Sequence, residues 1–569
     1  MHQSTLRLRT FAAACALALA PVTAFAQTGH LRFDAATLAA ATQISAPSAA
    51  SQAAGGTARP LSMDEAVKLA LEQNLGIRIQ RIDPQIQDTT VAQSRSFWSP
   101  NLGTSFSRVG NNYPAISIFQ PAYGNGTTNA NVSLAQALPW GGSYTAGWIN
   151  QRVITDNPLS NYSPQLYSNV QFNYTQPLMR NFSIDQIRQQ VKQSQKFREL
   201  SDIQLQAVIT STMRAVRDAY WDLVYAISNQ KVQQLSLELS QQFLRDNQKR
   251  VEIGTLAPID IVQAQAEVAS NEQGVIVAEA AIKTAQDNLR ALILDPAQAD
   301  FWNVNFDPTD AASFAAQSVD VDAAVRNALD KRTDLLAAKN TLAIGDVNMK
   351  FLKNQILPDV NLQANYGAIS YGGTQLTGVS AADLSNLGLG VVPARSIISQ
   401  RTYGSVLGDV FSNAYPQWTV GVQIGYPLGS STVQANLARA RLQAQQAEAQ
   451  VKNLELQITT QVRLAARNVT TNIKRVESAR ASRELQEKKL DAEEKKLAAG
   501  MSQSFFVFQA QRDLAVARVA EIQAISDYNK SLVDFDAVQS VPLNGGFPGI
   551  TTPGSGAIVT GNSAIIRAQ

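Results

Sequence analysis

Two stretches, each of roughly 70 residues at a helical rise of about 1.5 Å, contain neither glycine nor proline. The first lies between Pro177 and Gly254, the second between Gly429 and Gly500. As helices they would be rods about 100 Å long, whereas helices of globular domains average about 11 or 12 residues. An ordinary compact domain is therefore excluded. In the second stretch Ala440, Ala444, Ala447, Val451, Leu454, Ile458, Val462, Ala465, Val469, Ile473 and Val476 recur at steps of three and four. That is a coiled-coil seam, with alanines small enough to let helices approach closely. Glu484 with Lys488 and Asp491 with Lys495 have acid-first i,i+4 spacing, the pattern of a solvated helical face.

The rods belong to a duplication. Residues 61–298 and 319–540 follow one template: short helix, proline, alternating strands, Pro-Leu, then a long helical hairpin. Ala66-Val67 matches Ala324-Val325, Pro100 matches Pro358, Pro177-Leu178 matches Pro427-Leu428, and Gly254 matches Gly500. The last pair opens Gly254-x8-Gln263-Ala-Gln265 and Gly500-x8-Gln509-Ala-Gln511. Each rod is expected to turn at its glycine and return, over Ile259–Leu294 in the first copy and about Ser502–Gln539 in the second. Ser62-x-x-Glu65 has capping-box spacing ahead of the first short helix.

The strand segments have period two. In Val360–Tyr366 apolar residues alternate with Asn361, Gln363 and Asn365, and Trp418–Tyr426 and Val170–Thr175 repeat the pattern. Alternation fits any half-buried sheet. Here the polar set is Asn, Gln, Thr and Gly, and Trp418, Tyr426, Tyr174 and Tyr366 sit near segment ends, which favours a membrane barrel with a wet lumen over a soluble sandwich. Val132–Leu134 and Tyr144–Trp148 flank Pro139-Trp140-Gly141-Gly142 and read as an additional hairpin. Whether it joins a barrel or extends beyond it is left open by the sequence. In the second copy Gly367–Tyr415 reads as a long loop.

Composition narrows the function. Arg7 and Arg9, the apolar run Phe11–Ala20 and Ala24-Phe25-Ala26 form a secretory signal over residues 1–26. A lipoprotein signal ending at Cys15 is disfavoured, because the apolar run continues past it. Cys15 is the only cysteine, so the mature chain has no disulfide, thiolate nucleophile or cysteine metal site. His30 is the only histidine left after His2 departs. Loss of Arg7 and Arg9 takes the formal charge from +3 to +1, which gives no polyanion-binding balance and no nucleic-acid partner. No P-loop, Gly-x-Ser-x-Gly, zinc spacing or histidine-centred triad occurs, so neither enzyme activity nor a cofactor is expected. No mature segment reaches the roughly 20 apolar residues of a spanning helix, so a membrane role must come through a β-barrel. Residues 27–60 read as a flexible leader and residues 541–569, rich in glycine and proline, as a low-complexity tail.

Taken together and in this order, these landmarks resemble the TolC-like outer membrane efflux protein family, the outer membrane factors of tripartite efflux or type I secretion systems. The carrying motifs are Leu61-Ser-Met-Asp-Glu-Ala-Val-Lys-Leu-Ala-Leu71, Pro100-Asn-Leu102, Pro358-Asp-Val360, Gln176-Pro-Leu178, Tyr426-Pro-Leu428 and the glycine turns followed by Gln-Ala-Gln. The resemblance implies a mixed, mainly α fold: duplicated helical hairpins forming an α-barrel, and strands contributing to a shared trimeric transmembrane β-barrel. With four strands from each of three chains such a barrel would have twelve. It further implies an outer-membrane channel of a Gram-negative bacterium with a long periplasmic extension, a homotrimer working with a periplasmic adaptor (membrane fusion) protein and an inner-membrane pump. Pro177 and Pro427 would mark the strand-to-helix turns. The tip turns, Gly254, Thr255 and Leu256 with Gly500, Met501 and Ser502, would contact the adaptor.

Asp260, Gln263, Phe505, Phe506 and Gln509, just beyond the turns, are candidates for the constriction. In relatives an acidic ring in the second copy selects permeants; Phe506 and Gln509 stand in that stretch here, so the ring does not carry over. Phe505, Phe506 and Phe508 fit either hairpin core or an apolar gate. Asp260 fits either a gate or a helix N-terminus favoured by the dipole. The competing reading from another class is an adhesive surface protein, with coiled coils beside a barrel anchor. An adhesin would place its rod in one block, whereas here strand and rod alternate twice.

Overall fold

The computed structural model describes residues 59–117, 122–254, 257–297, 301–310, 314–380, 395–426 and 431–539. The signal, most of the leader, the C-terminal tail, Thr255, Leu256 and Pro427 lie outside the described residues. In chain order the elements are β1 (Arg59–Leu61), α1 (Met63–Gln73), α2 (Leu75–Gln80), α3 (Asp83–Ser96), β2 (Asn101–Tyr113), β3 (Tyr123–Ala137), β4 (Ser143–Thr155), β5 (Tyr162–Pro177), α4 (Gln186–Glu252) and α5 (Ile259–Ile293). The second copy follows with β6 (Phe306–Pro308), α6 (Val321–Lys331), α7 (Thr333–Gln355), β7 (Asp359–Leu376), β8 (Ile397–Arg401), α8 (Tyr403–Phe411), β9 (Pro416–Gly425), α9 (Thr432–Ala498) and α10 (Ser504–Val538).

The duplication is metrically strict: α4 and α9 each have 67 residues, and α5 and α10 each have 35. Both rods start on a side-chain cap that satisfies an orphan N–H. Asp185 accepts from the Arg188 N–H at 2.7 Å, and Ser431 from the Gln434 N–H at 3.3 Å. Ser62 likewise accepts from the Glu65 N–H at 3.2 Å, but Glu65 turns outward to Arg59 at 2.8 Å, so only half of the capping box forms.

Each outward rod packs along its returning helix, and α4 packs along α10, giving the layer order α5–α4–α10–α9. The alanine seam of α9 faces inward: Ala440, Ile458, Val462, Ala465, Val469 and Val476 are buried. Val469 and Val476 meet α10 at Ala524 and Tyr528, which are buried too. The matching short helices close the rods at mid-height. Ala66, Val67 and Ala70 of α1 pack on Val216, Tyr220 and Leu223 of α4, with Leu289 and Ile293 of α5. Ala324 and Ala328 of α6 pack on Ile458 and Val462 of α9. Each fully buried valine, leucine or isoleucine here contributes about 1.5–3 kcal/mol. Arg59–Leu61, at the end of the expected leader, forms β1 and pairs in parallel with β6.

The other strands form one antiparallel sheet in the order β2–β3–β4–β5–β7, and both β8 and β9 pair with β7. β9 occupies Asp359–Ala368 of β7 and β8 occupies Gly373–Leu376, so the two share one edge. One sequence expectation is corrected. The segment Gly367–Tyr415 is not simply a loop: β7 runs on to Leu376, and β8 and α8 follow. Val406 and Val410 of α8 are buried, which is why it stays on the sheet. The extra hairpin β3–β4 lies inside the sheet between β2 and β5, giving six consecutive positions.

Candidate functional site

Alternation along each strand and the pairing register together sort the sheet's side chains onto two faces. One cross-strand row reads Leu102, Leu134, Ala146, Phe172, Tyr366 and Trp418. The next on the same face reads Thr104, Val132, Trp148, Val170, Ala368 and Pro416. The opposite face carries Asn101, Ala135, Thr145, Asn173, Asn365 and Thr419 in one row and Gly103, Ser133, Gly147, Gln171, Gly367 and Gln417 in another. The apolar face stays open to its surroundings: Phe106 is 77% exposed, Trp418 72% and Ile424 70%. An apolar face of this extent is built to meet something other than water.

Beyond the apolar rows the same face turns polar at Asn150, Ser168 and Ser370, and α8 lies over it. Tyr403 donates to Asn150 at 2.6 Å, Ser370 donates to Asp409 at 2.9 Å, Arg401 pairs with Asp409, and Phe411 stacks edge-on against Trp148. Thus buried polar atoms on this face are paired locally.

Where β5 becomes α4, Pro177 ends the strand and a hydrogen-bonded knot replaces the lost ladder. The N–H groups of Leu178 and Arg180 donate to the carbonyls of Val360 and Pro358. Asn181, held at φ 65°, donates its N–H to Asn354 Oδ1 at 2.7 Å and accepts from Gln355 at 2.6 Å. Arg188 reaches back to the Asn181 carbonyl at 2.6 Å. The knot welds the first copy's strand-to-rod junction to the end of α7 in the second copy. Its partners lie more than one element apart in the chain, and no periodicity marks them.

At the far end of the rods Gly254 and Gly500 have φ of 76° and 74°. The left-handed region is open to glycine without a Cβ penalty, and it is the usual way to end a helix. The second turn is closed by the Met501 N–H on the Lys496 carbonyl at 2.8 Å and the Gly500 N–H on the Leu497 carbonyl at 3.1 Å. Glu493 accepts from Ser502 Oγ at 2.9 Å and from Lys496 at 2.7 Å. The Lys496 hydrogen bond first, then Ser502, holds the Glu493 carboxyl below its ordinary range. Met501 is exposed, projecting beyond the tied loop.

Just past the turns the two copies match at some positions and differ at others. Ile259 and Asp260 stand where Phe505 and Phe506 stand, five and six residues after their glycines. Gln263 and Gln509 are both exposed, and Ala264 and Ala510, one residue further, are both fully buried. Phe505 and Phe506 pack edge-to-face at 5.7 Å and remain about half exposed. Phe508 belongs to the core, packed on Phe243 of α4 at 4.6 Å. Asp260 lies in the first turn of α5 and is half-buried.

A charged seam joins the copies midway along the rods. Arg214 contacts Asp534 at 2.6 Å and Asp218 at 3.7 Å, and Lys530 pairs with Asp222. Burial, reinforced by the neighbouring Asp534, pushes the Asp218 carboxyl up to about 6. Tyr220 is fully buried beside it, its hydroxyl 2.8 Å from Asp310 and 3.1 Å from the Leu61 carbonyl. Among the described residues no group of acidic, histidine or cysteine side chains could hold a metal, and no helix is long and apolar enough to cross a membrane.

The profile of the family described as outer membrane efflux protein matches residues 143–293 and 324–538, well over half of the chain and one block in each copy. This chain belongs to the outer membrane efflux protein family. Solved structures agree in fold. The outer-membrane channel OprN is 16% identical, covering 84% of this chain and 89% of its own, with a TM-score of 0.59. The Campylobacter jejuni CmeC outer membrane channel is 15% identical over 84% and 85%, with a TM-score of 0.56. The Neisseria gonorrhoeae MtrE outer membrane channel in its open state is 16% identical over 84% and 88%, with a TM-score of 0.57. Among curated proteins none matches. The efflux protein is thus an outer-membrane channel of a Gram-negative cell with its helices in the periplasm, and it is a conduit rather than an enzyme.

Proposed function

We propose that three copies of this efflux protein enclose one continuous passage, through which a periplasmic adaptor and an inner-membrane pump deliver their cargo. The observation that carries this reading is that both layers end in open flanks on the same sides. The sheet runs from β2 to β9, and the helical layer from α5 to α9. Apolar side chains stand exposed along those helical flanks: Ile276 and Val277 on α5, and Leu442, Leu456 and Leu464 on α9. Lateral association of copies covers the helical flanks and removes the sheet edges that lipid does not tolerate. The apolar sheet face then meets lipid and the polar face lines water.

The tip turns Gly254, Thr255, Leu256, Gly500, Met501 and Ser502 meet the adaptor. The half-exposed ring made by Phe505 and Phe506, with Asp260, Gln263 and Gln509 beside it, forms the narrowest point and gates by dewetting. Energy comes from the pump, because the chain presents no catalytic constellation. The test has two arms. The mass of the detergent-purified protein should correspond to three copies. A deletion strain should become hypersensitive to dyes and detergents and recover with the wild-type chain. A monomeric mass, or unchanged susceptibility in the deletion strain, would overturn the reading.

A further inference from the structure

We infer that each copy donates six membrane-spanning strands, not four, so that the closed barrel has eighteen staves and β2 of one copy seals against β9 of the next. The inference rests on the three-copy reading above for the number eighteen, but not for the number six.

Three observations carry it. Length comes first: β2, β3, β4, β5, β7 and β9 have 13, 15, 13, 16, 18 and 10 residues. A tilted transmembrane strand needs about 9–11, so the inserted pair β3–β4 is long enough, whereas the five-residue β8 is not. Second, β3 and β4 keep the facial segregation of their neighbours. Val132 and Leu134 of β3 and Ala146 and Trp148 of β4 fall in the apolar rows, while Ser133 and Thr145 fall in the polar rows. A hairpin standing in water above the membrane has no need to align its apolar residues with those of the spanning strands.

Third, the edges match. The sheet is antiparallel throughout, so with six positions β2 and β9 run in opposite directions. β2 pairs only with β3 and β9 only with β7 among the described residues, which leaves each one free edge. A second copy of this chain therefore offers β2 an antiparallel partner in β9 without any rearrangement.

The mature chain is free of cysteine if it begins at Gln27, so engineered pairs read cleanly. Ser107→Cys with Asn129→Cys, and Thr145→Cys with Asn173→Cys, are opposed residues on the polar face. In outer membranes both pairs should form bridges within one copy, detected by mass spectrometry. Ser105→Cys combined in turn with Gln417→Cys, Thr419→Cys and Gln423→Cys should yield, at one of the three registers, a covalent ladder ending at three copies. End-on electron microscopy of the unmodified protein in nanodiscs should resolve a ring of eighteen strands, about 1.5-fold wider than a twelve-stranded ring. A bridge between Ser105→Cys and Asn173→Cys, which would put β2 beside β5, or a twelve-stranded ring, would overturn the proposal. A ladder ending at another copy number, with both within-copy bridges formed, would sink the three-copy reading and the total of eighteen while supporting six strands per copy.

Discussion

The surroundings of Asp218 oppose its charge. Its carboxyl titrates near 6 instead of 3.8, because burial and the adjacent Asp534 outweigh Arg214 and Lys530. In the range between those values the folded protein holds a proton that the unfolded chain has released, so stability from this group grows as pH falls from 6 towards 3.8. The full shift corresponds to about 3 kcal/mol, but the side chain keeps 30% of its exposure, and solvent screening reduces the effect to about 1 kcal/mol. Asp218→Asn should match or exceed wild-type thermal stability at pH 7.5, keep about half of that advantage at pH 5 and lose the rest as pH falls below 3.8. Melting curves showing the same difference at both pH values would refute the assignment.

Gly500 offers a second test at this scale. A Cβ there meets open space, so Gly500→Ala has only the left-handed backbone to resist it. A cost of about 1 kcal/mol is expected, confined to the tip and visible as faster amide exchange across residues 497–503. The glycine turns were legible in the sequence because each stands at the end of a run without breakers. Asn181, Asn354 and Gln355 were not, since a polar residue declares its partner only once the fold brings the two together.

The rods, their seam and the hairpin returns follow from periodicity: most of the buried residues of α9 recur at three and four, while Leu437 and Ala466 are buried outside the expected seam. The charged face is only partly as expected: Asp491 and Lys495 pair at 2.6 Å, while Glu484 lies 3.8 Å from Arg483. The strands β5, β7 and β9 were legible from alternation over long segments. β8 and α8 were not, because five strand residues and a nine-residue helix between glycines and serines give too few repeats to establish a period. The hairpin β3–β4 was readable as a hairpin but not as part of the wall; its place depends on register with β2 and β5, which no local pattern encodes.

That placement makes neighbouring residues of β3 unequal. Val132→Arg puts a charge on the lipid face and should cost about 2–4 kcal/mol if it lies near the midplane. Asn131→Arg points into the lumen and should be tolerated. Membrane yield and resistance of the assembled protein to denaturation by heat in detergent would compare them. Equal behaviour would remove β3 from the wall.

For the whole molecule, the two copies present one design with different side chains at the tip: Ile259-Asp260 in the first and Phe505-Phe506 in the second. If the aromatic pair forms the narrowest point, Phe506→Asp should raise single-channel conductance and cation preference in planar bilayers, because a carboxylate wets the constriction and attracts cations. Traces identical to wild type would place the gate elsewhere.

The sheet's connectivity also sets the order in which the channel can mature. β2 to β5 are sequential neighbours and can pair as a local meander as they leave the translocation machinery. β7 must then dock on β5, with Gln176 opposite Leu362 and the entire first rod between them. Pairing across such a separation is slow. Until it is complete, a half-built sheet carries Phe106, Trp148 and Phe172 on one side with no lipid to receive them, the kind of intermediate that aggregates without a chaperone. A route in which the rods pair before the strands enter the bilayer would shorten that interval, because it brings β7 alongside β5.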